Sequence, residues 1–191
     1  MVDAHLLGVH PIGPEEFLCA LFHVEDASRY LTIWLPPVEG ARLLARINGW
    51  RPSRPHAADA LAALITSSGL GAESLELSSY HEGVFRASLT LRDGGEVDLR
   101  PSDALALALE LEIPVEVDES VVAAASLWIP SDDVERYFEV NAPEFDSEDE
   151  QPGASAEVDA EFEELMRRLG VAEDDLDRES EPDVKDGEEE P

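Results

Sequence analysis

Four carboxylates in this chain stand where side chains can do chemistry rather than pack. Glu39 follows the stop Pro36-Pro37, and Asp59 comes early in an alanine-rich run. Glu82 precedes Gly83 in a turn, and Asp103 closes the string Arg100-Pro101-Ser102-Asp103. Each lies at the beginning or end of an element, where distant segments can converge. Arginine grips an anion through two parallel hydrogen bonds, and carboxylate oxygens are the usual protein ligands of hard divalent cations. Arg54 and Arg100, shortly before Asp59 and Asp103, supply the first kind of group. A helix opening at Ser102-Asp103 would add backbone N–H groups free to hold an anion. All these residues also have plain structural uses, as caps, first-turn acids or surface ion pairs, and both uses stay open here.

Other catalytic chemistries find less support. There is no phosphate-binding glycine loop, no serine-nucleophile elbow and no paired-cysteine motif. Cys19 is the only cysteine, which excludes an internal disulfide and a multi-cysteine metal site. Flanked by Leu18 and Ala20, it reads as a small core residue. His5, His10 and His23 form no metal-spaced cluster, and His56 and His81 read as exposed loop histidines.

The elements that must position these groups follow from pattern and punctuation. His5–Val9 and Phe17–Val24 read as a hairpin around Pro11-Ile12-Gly13-Pro14, with Tyr30–Leu35 as a third strand. Proline suits the first turn of a helix, and Val38, Ala41, Leu43, Leu44 and Ile47 then fit one helical face ending at Asn48-Gly49. A second helix, Ala57–Ser67, closes at Ser68-Gly69. Ser74–Tyr80, Val84–Leu91 and Glu96–Leu99 form a meander through the turns His81-Glu82-Gly83 and Asp93-Gly94-Gly95. Pro101-Ser102-Asp103 opens the apolar helix Ala104–Leu111; Ile113–Val117 is a short strand, Ser120–Ser126 a helix and Asp132–Val140 a last helix. This order predicts an α+β domain over residues 1–140, a mixed, largely antiparallel sheet with helices packed on it in two layers.

Charge sets a second division. The chain has 44 acidic and 13 basic residues, a net of −31, and Lys185 is its only lysine. Residues 141–191 carry −17 of this and the first 140 carry −14. The stretch 141–191 is acidic and poor in apolar residues, as expected of a mostly disordered tail. Val158, Phe162, Leu165, Met166 and Leu169 predict one short amphipathic helix at 157–169 within it. No run approaches the roughly 18 apolar residues that cross a bilayer. No membrane association and a cytoplasmic address follow by elimination. A net of −31 repels phosphate backbones at long range, so a nucleic-acid partner requires a local basic patch, a bridging cation or screening salt. Exposed strand edges and the apolar helix Ala104–Leu111 suggest a homo-oligomer.

Arg100-Pro101-Ser102-Asp103-Ala104-Leu105-Ala106-Leu107-Ala108-Leu109, followed by Ile113-Pro114-Val115, resembles the signature of the bifunctional nuclease family. Three further pieces fall in the family's order. Tyr30–Leu35 with Glu39 is similar to its strand-then-helix segment. Arg54-Pro55 with Asp59 resembles an Arg-Pro-x-Thr-His-Asp element, and Glu82–Ala87 a Glu-Gly-Thr-Phe-Tyr-Ala turn and strand. The chain departs at Pro36-Pro37, at Ala57-Ala58 in place of Thr-His, and at Arg86 in place of tyrosine. The resemblance covers about residues 3–140 and implies hydrolysis of RNA and DNA phosphodiesters with low sequence specificity. It implies Glu39, Asp59, Glu82 and Asp103 as catalytic carboxylates, with Glu39 and Asp103 holding Mg²⁺ or Mn²⁺. Arg54, Arg100 and Ser102 would then bind phosphate. The alternative is a non-catalytic binding or regulatory module that keeps the fold and uses the acidic tail for interaction or solubility. Trp34, Trp50 and Trp128 read as core or interface aromatics, although Trp50, before Arg51 and Arg54, is also placed to stack a base.

Overall fold

A computed structural model describes residues 1–24, 29–138 and 140. The expected tail, with its helix at 157–169, lies outside the described residues. Three strands come first: β1 (Val2–Ile12), β2 (Phe17–Val24) and β3 (Arg29–Trp34). Helices α1 (Pro37–Ile47) and α2 (Ala57–Ser68) follow. The meander is β4 (Ala72–His81), β5 (Val84–Leu91) and β6 (Glu96–Leu99). Then come α3 (Pro101–Leu111), β7 (Val115–Val117), α4 (Glu119–Ala125), β8 (Ser126–Leu127) and α5 (Ser131–Phe138).

The strands form one eight-stranded sheet in the order β6-β5-β4-β7-β1-β2-β3-β8. Every pairing is antiparallel except β4 with β7, so the sheet is mixed and largely antiparallel, an α+β arrangement. Two hairpin-built halves, β1–β3 and β4–β6, are joined through β7 in the middle.

Alternation along β2 shows how the layers are filled. Successive side chains point to opposite faces of a strand. Ala20, Phe22 and Val24 join the main core with Leu43 of α1, Leu75 and Leu77 of β4, and Ala104, Leu105 and Ala108 of α3. Cys19 and Leu21 face the other way, onto Val134 and Phe138 of α5. Thus α1, α2 and α3 cover one face, and α5 covers the reverse face of β1–β3. Cys19 is fully buried, and burial pushes its thiol up to about 12, only partly countered by a backbone hydrogen bond involving Ile33. A thiol so placed is inert packing.

Several boundaries differ from the sequence expectation by a few residues, and three of these have a clear local reason. β1 runs on through Pro11, which pairs with Leu18, and the turn is Gly13–Glu16 instead of Pro11–Pro14. β7 flanks β1 only at Val2 and Asp3, so at Pro11 the other edge of β1 needs no N–H donor. The strand after α3 starts at Val115 because Glu112 is left-handed (φ 53°) and the Ile113 N–H still donates to the Ala108 carbonyl at 3.2 Å. The helix expected to reach Ser126 stops at Ala125, where Asp118 caps its start and Ser126 turns into the two-residue β8.

Helix α3 spends its apolar surface inside the chain: Ala104, Leu105, Leu107 and Ala108 are buried. The edge strand β6 carries Glu96 and Asp98, charges that discourage edge-to-edge pairing.

Candidate functional site

Two helix starts meet at one end of the sheet. Pro37 and Pro101 occupy the first turns of α1 and α3, where a missing N–H costs nothing. The caps are Pro36 and Arg100, and neither start is closed by a capping side chain. Ser102 is therefore not the cap but a buried residue of the first turn, and Asp103 is a first-turn acid.

Arg100 ties the two helices together. Its Nε donates to Asp103 Oδ2 at 2.8 Å and its Nη2 to Asp103 Oδ1 at 3.2 Å, a two-pronged grip. The same Nη2 reaches Glu39 Oε1 at 3.4 Å. The hydrogen bond and charge of Asp103, joined by Glu39, raise the guanidinium's pKa above its ordinary value. About two turns along both helices, or ~10 Å, Arg46 of α1 pairs with Glu110 of α3. Bridges at both ends make α1 and α3 run side by side in the same direction, with both positive dipole ends at Arg100.

A cleft of about 400 Å³ opens at this end. Ile33 to Pro36 form one wall, Gly83 to Arg86 a second, and Asp98 to Ser102 the floor of the α3 start. Strand register brings the second wall to the third: Ala87 pairs with Leu99 and Ser88 with Asp98. The cleft thus holds two arginines, Arg86 and Arg100, beside the aromatic rings of Trp34 and Phe85. Arg86 is exposed and makes no ion pair among the described residues.

The expected site residues divide between this cleft and other places. Glu39, Asp103, Arg100 and Ser102 come together. Glu82 sits in the β4–β5 turn, 85% exposed, with Gly83 beside it on the cleft wall. Both residues have positive φ, 49° and 84°, as a two-residue hairpin turn demands. Asp59 is held elsewhere. Its Oδ2 accepts the His56 N–H at 2.7 Å at the start of α2, and its Oδ1 pairs with Arg46. Burial raises its pKa, but the hydrogen bonds from Arg46 and His56 and their charges outweigh this and hold it below the usual carboxylate range. Arg54 lies exposed in the α1–α2 connection and does not line the cleft.

Sequence reasoning read Trp34 only as a core or interface aromatic, did not single out Phe85 or Asp98, and noted Arg86 only as a departure from tyrosine. The resemblance of Glu82–Ala87 to a family turn and strand, with an unexpected arginine in it, was the signal that marked this wall.

A model of the bifunctional nuclease domain matches residues 20–130. The chain belongs to the bifunctional nuclease family. Two uncharacterized proteins of Mycobacterium tuberculosis, from strains CDC 1551 and H37Rv, are each 31% identical to it over 132 residues. The match covers 69% of this chain and 80% of theirs. The bifunctional nuclease domain so delimited contains every wall of the cleft and both bridged helices. It leaves outside all of β1, the first residues of β2, all of α5 and the acidic stretch 141–191.

Oxygen donors suit a hard cation, and Mg²⁺ ordinarily takes one or two carboxylates from a protein while water and phosphate complete its shell. Glu39 and Asp103 fit that modest requirement. A larger all-protein cage is not formed: no group of three or more His, Cys, Asp or Glu placed for a metal occurs among the described residues. No described helix is long and apolar enough to cross a membrane.

Proposed function

We propose that this bifunctional nuclease domain hydrolyses phosphodiester bonds of RNA and DNA with little sequence preference, in the cleft around Arg100. One observation carries the reading: two arginines and two uncapped helix starts converge on a cleft that adjoins the carboxylate pair Glu39 and Asp103. Phosphate is drawn to Arg86, to Arg100 and to the Ser102 N–H, since Pro101 has none and the Asp103 and Ala104 N–H groups donate to the Arg100 carbonyl. As phosphate binds, Arg100 exchanges its grip on Asp103 and Glu39 for the phosphate oxygens. Glu39 and Asp103, once released, are the residues that would hold Mg²⁺ or Mn²⁺, which would lower the pKa of a bound water and neutralise developing charge. Trp34 and Phe85 offer apolar faces to the neighbouring bases.

The test is hydrolysis of single-stranded RNA and DNA with Mg²⁺ or Mn²⁺ by the wild type, Asp103→Ala and Glu39→Ala. Each variant should lose activity by roughly a hundredfold or more, the scale of a lost transition-state charge contact. Equal residual activity in all three would mark a contaminant and end the assignment.

A second reading rests on a different observation. Arg100 neutralises both carboxylates, and Asp59 is committed to Arg46 and the start of α2. A binding module that keeps the fold needs no more than this. Oligonucleotide binding through Arg100 without hydrolysis under any divalent cation would decide for it.

A further inference from the structure

Four of the nine basic residues in residues 1–140 fall in one short stretch of the sequence. Between Gly40 and Ala58 there are four arginines and no acid, in a domain of net charge −14. Arg46 is used internally, by Asp59 and Glu110. Arg51 donates to the carbonyls of Arg46 and Trp50 at 3.1 and 3.2 Å and so fixes the end of α1. Arg42 and Arg54 are exposed and make no ion pair or side-chain hydrogen bond among the described residues.

Beside them lies an aromatic ring with no internal role. Trp50 is 54% exposed, yet its backbone is pinned: its N–H donates to the Ala45 carbonyl at 2.9 Å, just after the Gly49 N–H donates to Arg46 at 2.9 Å. A large exposed ring on a fixed backbone is placed for stacking. It ends a shallow apolar groove of about 670 Å³ on the outer face of α1, lined by Val38, Ala41, Arg42 and Ala45. This groove begins at Pro37, and Pro36 belongs to the wall of the cleft. Cleft and groove thus have adjacent residues, Pro36 and Pro37, in their linings, and the groove extends about 16 Å along α1 from there.

We propose that the outer face of α1 is an exosite for single-stranded nucleic acid leaving the cleft, with a base stacked on Trp50 and phosphates held by Arg42 and Arg54. The proposal rests on the nuclease reading for the strand's point of departure. Alternating apolar and cationic groups beside an exposed tryptophan match the chemistry of a single strand, whose bases stack on aromatic faces while arginine tracks the backbone. The groove is local enough to act despite the net charge, because at physiological salt fields from distant acids are screened beyond about 8 Å.

The experiment uses the full chain and fluorescence anisotropy of labelled single-stranded DNA and RNA. Strands of about twelve nucleotides are compared with a dinucleotide. Trp50→Ala should weaken binding of the long strand about tenfold, while Trp50→Phe retains most of it. Dinucleotide binding and hydrolysis should be unchanged in both variants. Arg42→Ala with Arg54→Ala should weaken the long strand and flatten its salt dependence by about two contacts. Equal long-strand affinity in Trp50→Ala and wild type overturns the exosite, even if hydrolysis proceeds and the nuclease reading stands. Trp50-dependent binding without any hydrolysis leaves the exosite in place and removes the nuclease reading. A change in sedimentation of Trp50→Ala with no change in strand affinity would assign this face to a second copy or to the chain's own acidic stretch, and also overturns it.

Discussion

At the scale of single residues, the arginines decide what the carboxylates can do. Arg100 holds Asp103 and Glu39 in reach of the cleft, whereas Arg46 holds Asp59 in the fold. The second pair is nearly enclosed, with Arg46 9% and Asp59 13% exposed. Because the folded-state pKa of Asp59 is depressed, its contribution to stability is fully present above the unfolded aspartate value, near 4. It is lost as pH falls through the folded value. Urea unfolding followed from pH 7 downward should show this loss in the wild type below about pH 4. Asp59→Asn should be less stable at neutral pH by about 1–2 kcal/mol and should show a shallower decline on acidification. If the two proteins have parallel pH profiles, the ion pair adds nothing to folding and Asp59 is free for another role.

Elements place these residues, and α1 is the one on which both ends of the argument depend. Gly40 lies buried in its first turns, and a Cβ there would come within 2.8 Å of Leu18 Cβ and 3.1 Å of Leu35 Cβ. The glycine lets α1 sit directly on β2 and so carry Glu39 to Arg100. Gly40→Ala gains helix propensity of about 1 kcal/mol but forces a clash with atoms near fixed backbone, costing about 1–3 kcal/mol. The expected outcome is a lower melting temperature together with loss of hydrolysis, since a displaced α1 takes Glu39 with it. A raised melting temperature with full activity would show that α1 is not seated as closely as this. Most of these elements were legible in the sequence, because Pro37, Gly69, Gly83 and Pro101 mark their ends and alternation marks β2. Pro11 misled because proline is a turn residue unless a strand edge is free, which depends on how far β7 extends. The cleft was half legible. Asp103 and Arg100 are neighbours in sequence, but Glu39 meets them across 61 residues and Arg86 through the β5–β6 register, relations that no local spacing encodes.

The whole molecule sets these local cations against a strong opposing field. Residues 1–140 carry −14 and residues 141–191 add −17 within about a quarter of the length. A nucleic-acid site on such a chain feels two effects of salt with opposite sign. Salt weakens direct phosphate contacts, since counterions released on binding must be displaced at higher concentration. It also screens repulsion from remote acids, over a Debye length that shrinks from about 30 Å at 0.01 M to about 8 Å at 0.15 M. Full-length affinity should therefore change little with salt at the low end, where repulsion and contact oppose each other. Truncation after Val140 removes more than half of the net negative charge and none of the described core. Affinity of the truncated chain for single strands should rise at low salt and fall steeply as salt is added, converging with the full chain near physiological strength. Titration of both chains across salt, read by anisotropy, checks this. Coincident curves would mean that residues 141–191 act on solubility alone, and that the arginines of the cleft and of α1 already bind against the domain's own charge.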